Sequence, residues 1–179
     1  MLARVSTALG MSLSVRVYPG TGPQLRDHLQ AAMLEALIKL LHERWRPRLE
    51  VAVDHPVRGI IDLVLDSEAP PIIACEAHSE LRRIEQQLRW ADAKASALEG
   101  IQGTDTSRLL LLRSTRRTRA LVSEYRHVVA TAYPARASDC YDSLAHGKPW
   151  PGNGLLWCHV DGGSARVLDH PPRGIVVGR

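Results

Sequence analysis

Two carboxylates stand where buried strands should be apolar. Arg58 to Asp66 reads Arg-Gly-Ile-Ile-Asp-Leu-Val-Leu-Asp, and Pro71 to Ser79 reads Pro-Ile-Ile-Ala-Cys-Glu-Ala-His-Ser. Asp62 interrupts the first run and Glu76, fourteen residues on, the second. A lone ionised carboxylate is expensive to bury, so the pair predicts a shared cation or a set of arginine or backbone donors. Neighbouring strands lie about 4.8 Å apart. A hairpin that sets Asp62 beside Glu76 on one face therefore offers two oxygen ligands to one Mg²⁺, with His78 following on the same face. The plainer account is a carboxylate pair satisfied by Arg58, Arg82 or backbone donors, with His78 a surface residue at a strand end.

The elements that must position these groups follow from periodicity and turn residues. Residues 1 to 12 predict a short helix, and Leu13 to Tyr18 a small extended segment closed by Pro-Gly-Thr-Gly-Pro at 19 to 23. A helix then runs from Pro23 to about Trp45, with Leu25, Leu29, Met33, Leu37, Leu40 and Leu41 on its apolar face. Arg46-Pro47 ends it, because the residue before a proline is pushed out of the α region. Leu49 to Val53 is strand-like and turns at Asp54-His55-Pro56 into the Asp62 strand. Ser79 to Leu98 predicts a long helix with Leu81, Ile84, Leu88, Ala91, Ala95 and Leu98 inward and Gly100 as its cap. Four consecutive leucines between Arg108 and Arg113 predict a strand covered on both faces, which suits parallel pairing. A helix over 114 to 132, a short one over Ser138 to Leu144, a loop over 147 to 154 and a terminal hairpin follow. The hairpin pairs Leu155 to Val160 with Arg166 to Leu168 across Asp161-Gly162-Gly163. Past Asp169 the signals fade.

Composition bounds the function classes. At 179 residues and 45% hydrophobic, the chain predicts one domain. Its net charge of +4 and pI near 9.2 permit nucleic-acid binding without requiring it. Only Lys39, Lys94 and Lys148 are lysines, so nearly every cation is a guanidinium suited to bidentate phosphate contacts, although a GC-rich coding bias gives the same skew. Cys75, Cys140 and Cys158 are scattered, which predicts a reducing compartment, the cytoplasm. No signal-peptide pattern and no long apolar run are found, so neither a leader nor a membrane span is expected. The histidines form no H-x-x-x-H or H-E-x-x-H, and there is neither a nucleophile elbow nor a glycine-rich phosphate loop. Zinc hydrolysis is thereby disfavoured.

Asp62 followed by Glu76-Ala77-His78 at a strand exit that leads into a helix resembles the PD-(D/E)XK nuclease core, whose last motif position is normally lysine. Beyond it, Leu13-Ser14-Val15-Arg16-Val17-Tyr18-Pro19-Gly20, the Arg58 to Asp62 strand, Glu76 to Leu81, and Leu88-Arg89 with Asp92 and Lys94 are similar to the C-terminal portion of actinobacterial helix-turn-helix regulators with a nuclease-like domain. The resemblance implies an α/β fold, a restriction-endonuclease-like αβββαβ core over roughly 22 to 113, with a mixed sheet flanked by helices and an added C-terminal helix and β-hairpin. Residues 1–20 would be a lead segment, a remnant linker from a missing helix-turn-helix, and 21–179 the nuclease-like domain.

The resemblance also assigns roles. Asp62 and Glu76 would hold Mg²⁺ or Mn²⁺, with Glu35 as a third acidic group, and Gln86 or Gln87 would orient a substrate phosphate. His78 would take the lysine position, where a neutral imidazole supplies one donor and no fixed charge. Lys94 is not expected there: eighteen residues past Glu76, it should lie roughly 20 Å up the helix at ~1.5 Å per residue. Arg113, Arg116, Arg117 and Arg119 sit at a helix start, where cations oppose the dipole. They predict an anionic partner, DNA, against the alternative of a solvated helix start. The function implied is a catalytically weakened nuclease-like domain, without cofactor, serving as a DNA-associated or regulatory module of a bacterial transcriptional-regulator family. Two alternatives stay open: an active Mg²⁺- or Mn²⁺-dependent endonuclease with His78 in the lysine position, and a domain sensing a small anion. A homodimer is expected because nucleases of this class pair to reach both strands.

Overall fold

Six strands lie side by side in the order in which the chain makes them: β1 (Arg46–Val53), β2 (Gly59–Asp66), β3 (Ile72–His78), β4 (Thr106–Arg113), β5 (Gly154–Asp161) and β6 (Ser164–Leu168). The computed structural model describes residues 28–162 and 164–178, and the features expected over residues 1 to 27, including the helix start at Pro23 and its Leu25, fall outside them. The first three strands pair antiparallel, β3–β4 and β4–β5 pair parallel, and β5–β6 closes as an antiparallel hairpin. Among the described residues, five helices flank this mixed sheet: α1 (His28–Leu40), α2 (Ile84–Gln102), α3 (Arg116–Glu124), α4 (Arg126–Ala132) and α5 (Ala137–His146). The chain is thus α/β, and α1-β1-β2-β3-α2-β4 is the expected αβββαβ order.

Alternation of side chains across the strands divides the core into two layers. Leu63, Leu65, Ile73, Cys75, Leu109, Leu111, Leu156 and Cys158 face α1 and α5, meeting Met33, Leu34, Leu37, Cys140 and Leu144. On the other face Leu110, Leu112, Leu155 and Trp157 meet Ile84 and Leu88 of α2, Val122 of α3 and Val129 of α4. Val64 and Ala74 pack there against Ala95 and Leu98 of α2. The four leucines of β4 are buried, as a strand with parallel neighbours and helices on both faces requires.

Several boundaries differ from expectation. The first helix stops at Leu40 rather than Trp45, because Trp45 turns inward and its indole N–H donates to the Ser143 carbonyl at 2.9 Å. Pro47 therefore lies inside β1, where it is tolerated because β1 is a sheet edge. Helix α2 starts at Ile84, not Ser79, and its left-handed cap is Gly103 (φ 64°), whose N–H bonds the Glu99 carbonyl, not Gly100. The helix expected over 114 to 132 is broken in two at Tyr125. The tail past Asp169 is ordered into the core: Ile175 and Val177 are buried against the Trp157 layer, and the Gly178 carbonyl accepts from the Ala137 N–H at 2.7 Å.

Candidate metal site at the parting of two strands

Strands β2 and β3 pair over only three positions, from Leu65↔Ile73 to Leu63↔Cys75, although both continue beyond. Past that point the next pair in register would be Asp62 and Glu76. Buried backbone groups that lose a ladder must find other partners, and side chains supply them. The Ala77 N–H donates to Asp62 Oδ2 at 2.9 Å. Gln30 Nε2, from α1, donates to Asp62 Oδ2 and to the Ala77 carbonyl, each at 2.9 Å. Lys94 Nζ, from α2, donates to the Ile60 carbonyl at 2.8 Å and lies 2.5 Å from Glu76 Oε1. Four elements thus converge on one notch. Asp62, Glu76 and Lys94 are 8%, 7% and 8% exposed.

Lys94 corrects the placement expected of it. A separation of roughly 20 Å requires a helix that continues away from Glu76 at ~1.5 Å per residue. Instead the chain turns at 79–83 and α2 runs back across the sheet, as a crossover between parallel strands must. Gly59 makes room for the lysine stem: a Cβ there would meet Lys94 Cδ at 3.0 Å. An Arg-Gly pair opening an otherwise apolar strand was the available signal.

Burial sets the electrostatics. Desolvation pushes the Glu76 carboxyl up to about 7, against the opposing pull of Lys94. Desolvation also raises Asp62, offset first by the Ala77 N–H and then by Lys94 and Gln30. His78 shares the Glu76 face of β3. Its imidazole falls to about 4, through burial and then the Lys94 charge, so it is neutral at pH 7.

The remaining expected residues divide. Glu35 is not brought to the pair; it lies on the outer side of α1 and bonds Lys39 at 2.6 Å. The α1 residue at the notch is Gln30, missed because an amide carries no charge to draw notice. Gln86 is exposed, whereas Gln87 lies on the Lys94 stripe of α2, partly buried, with Oε1 lacking a partner among the described residues. Neither Arg58 nor Arg82 satisfies the carboxylates: Arg82 pairs with Glu80 at 2.7 Å.

Arg113 ends β4, and Arg116, Arg117 and Arg119 follow at the start of α3, capped by Thr115. His78 is in register with Leu112 of the parallel β4, so this cluster lies at the same end of the sheet as His78. Arg117 pairs with Glu80 at 3.3 Å and Arg119 reaches the Ser114 hydroxyl at 3.4 Å, while Arg116 is exposed.

A cation would have to use the oxygens that no protein donor occupies. Donors occupy Asp62 Oδ2 and Glu76 Oε1, whereas among the described residues Asp62 Oδ1 and Glu76 Oε2 accept no hydrogen bond. Asp62 and Glu76 interact electrostatically, and one oxygen from each would be a number of protein ligands that Mg²⁺ accepts, since it completes its shell with water and substrate phosphates. Among the described residues no group of three or more His, Cys, Asp or Glu side chains forms a metal cluster, so a closed all-protein cage is not the arrangement seen. No described helix is long and apolar enough to cross a membrane. Comparison with family models, curated proteins and solved structures returns no match for this chain.

Proposed function

We propose that this chain is a metal-dependent phosphodiesterase of the PD-(D/E)XK type, acting on DNA, with Asp62, Glu76 and Lys94 as its working groups. The observation that carries this reading is Lys94 Nζ at 2.5 Å from Glu76 Oε1. It restores the fixed positive charge whose loss from position 78 had argued for a weakened enzyme. Asp62 and Glu76 would hold Mg²⁺ or Mn²⁺, which lowers the pKa of an attacking water and neutralises charge on the phosphate. Lys94 offsets the negative charge of the carboxylates and presents a preorganised cation beside the reacting phosphate. His78, neutral at pH 7, supplies a hydrogen bond and no charge. Arg113, Arg116, Arg117 and Arg119, at the same sheet end, suit backbone phosphates.

The test is nicking of supercoiled plasmid DNA with Mn²⁺ or Mg²⁺. Wild type is expected to nick, Asp62→Ala to be inactive, and Lys94→Met to lose roughly 10²- to 10³-fold. His78→Gln should retain most activity; a His78→Gln variant as dead as Lys94→Met would assign the lysine role to His78 instead.

A second reading rests on the same notch. Each carboxylate already has a protein donor and is more than nine-tenths buried, as in a polar network that outlived its chemistry. On that reading the chain is a DNA-associated module. It would show salt-dependent DNA affinity carried by the arginines and no metal-dependent nicking at any metal concentration.

A further inference from the structure

Gln30 does more at the notch than fill space. Its Nε2 carries two N–H groups, and both are used at once, on Asp62 Oδ2 and on the Ala77 carbonyl. With the Ala77 N–H also on Oδ2, that oxygen is fixed from two sides, and Oδ1 is the one left to turn toward a ligand. We infer that Gln30 is the positioning residue that sets how tightly, and with what selectivity, the Asp62–Glu76 pair takes a divalent cation. This inference rests on the metal-site reading above.

The argument is one of ligand count and orientation. Ligating carboxylates are held by outer partners that fix their rotation and their basicity, and Gln30 is such a partner for Asp62. Because α1 contributes an amide here and not an acid, the described residues offer a cation one open oxygen from each of two carboxylates. That number suits Mg²⁺ or Mn²⁺, which keep several waters. It is too small for Ca²⁺, which takes about six to eight oxygens from a flexible set. A glutamate at position 30 has the same reach and would put oxygen where the donor nitrogen lies, turning an orienting group into a third ligand. In the absence of a cation it would leave the Ala77 carbonyl and a new carboxylate facing Asp62 Oδ2, with the Ala77 N–H as the one donor still on that oxygen.

The experiment titrates the full chain with Mn²⁺, following free Mn²⁺ by electron paramagnetic resonance, with Ca²⁺ as competitor and no DNA present. Gln30→Met, which keeps the length and removes the donor, is expected to weaken Mn²⁺ binding roughly tenfold. Gln30→Glu is expected to tighten Mn²⁺ binding and make Ca²⁺ an effective competitor. A merely structural loosening of α1 would weaken both variants. Unchanged affinity in both, or weakening in both, therefore overturns the assignment. Should Gln30→Glu fail to fold, Gln30→Met decides alone, and affinity equal to wild type overturns it. If wild type itself shows no Mn²⁺ binding that Asp62→Ala removes, the metal site is refuted and the role of Gln30 with it, a result seen without any change at position 30.

Discussion

The two ends of one sheet are built on opposite principles. Between β4 and β5, Leu109 to Leu112 lie beside Gly154 to Trp157 in a fully buried parallel pair whose side chains alternate into two apolar layers. On the other side of the same β4, Glu76 is in register with Leu110, and there two carboxylates and an ammonium are buried together beneath a partly buried amide. The apolar half is held by area and shape, so each side chain contributes on its own account. The polar notch is held by mutual satisfaction, and removing one member leaves another buried without a partner.

The contrast can be broken most directly at Lys94. Lys94→Met should cost about 3–5 kcal/mol in urea unfolding at pH 8, where Glu76 is ionised, because it leaves a buried charge unpaired. Adding Glu76→Gln should recover most of that loss. A single variant as stable as wild type would mean that the notch is not coupled. In the apolar half, Leu111→Ala should cost roughly 2–5 kcal/mol through lost transfer energy and a cavity. Substitutions in the opposite layer, such as at Val122, should simply add to it.

The smallest effect is in the pH dependence, because two slopes oppose each other. Glu76 has its carboxyl raised from 4.5 to about 7, so its contribution is fully present below pH 4.5 and is lost as pH rises toward 7. Asp62, also raised, acts in the same direction. His78 is lowered from 6.5 to about 4, so its contribution is present above pH 6.5 and is lost as pH falls toward 4. Between about pH 4.5 and 6.5 these slopes partly cancel in wild type. Melting midpoints across that window should fall with pH in His78→Gln. In Glu76→Gln the downward slope should be weakened or reversed. Indistinguishable slopes in the two variants would show that the notch does not hold these groups as described.

What could be read from the sequence follows the same division. The leucine run of β4, the strand carboxylates and the αβββαβ order are local signals of period and composition, and the fold honours them. Lys94 and Gln30 were not legible as partners of the carboxylates, because their place depends on where α2 and α1 cross the sheet. A single lysine on an amphipathic helix carries no mark of the direction in which that helix returns. Gly100 and Gly103 are both reasonable caps by type, and only the extra turn of α2 decides between them. The tail over 172–178 was unreadable because Ile175 and Val177, separated by one residue, make too short a pattern to signal burial.

Every group in the notch belongs to α1, β2, β3 or α2, and so precedes β4 in the chain and emerges from the ribosome ahead of it. The carboxylates and their lysine can meet while one flank of β3 is still wet, in a medium where an ion is inexpensive to carry. The leucines that dehydrate them arrive only afterwards. Translation thus delivers the charges early and their enclosure late, an order in which no ion must enter an interior that has already closed.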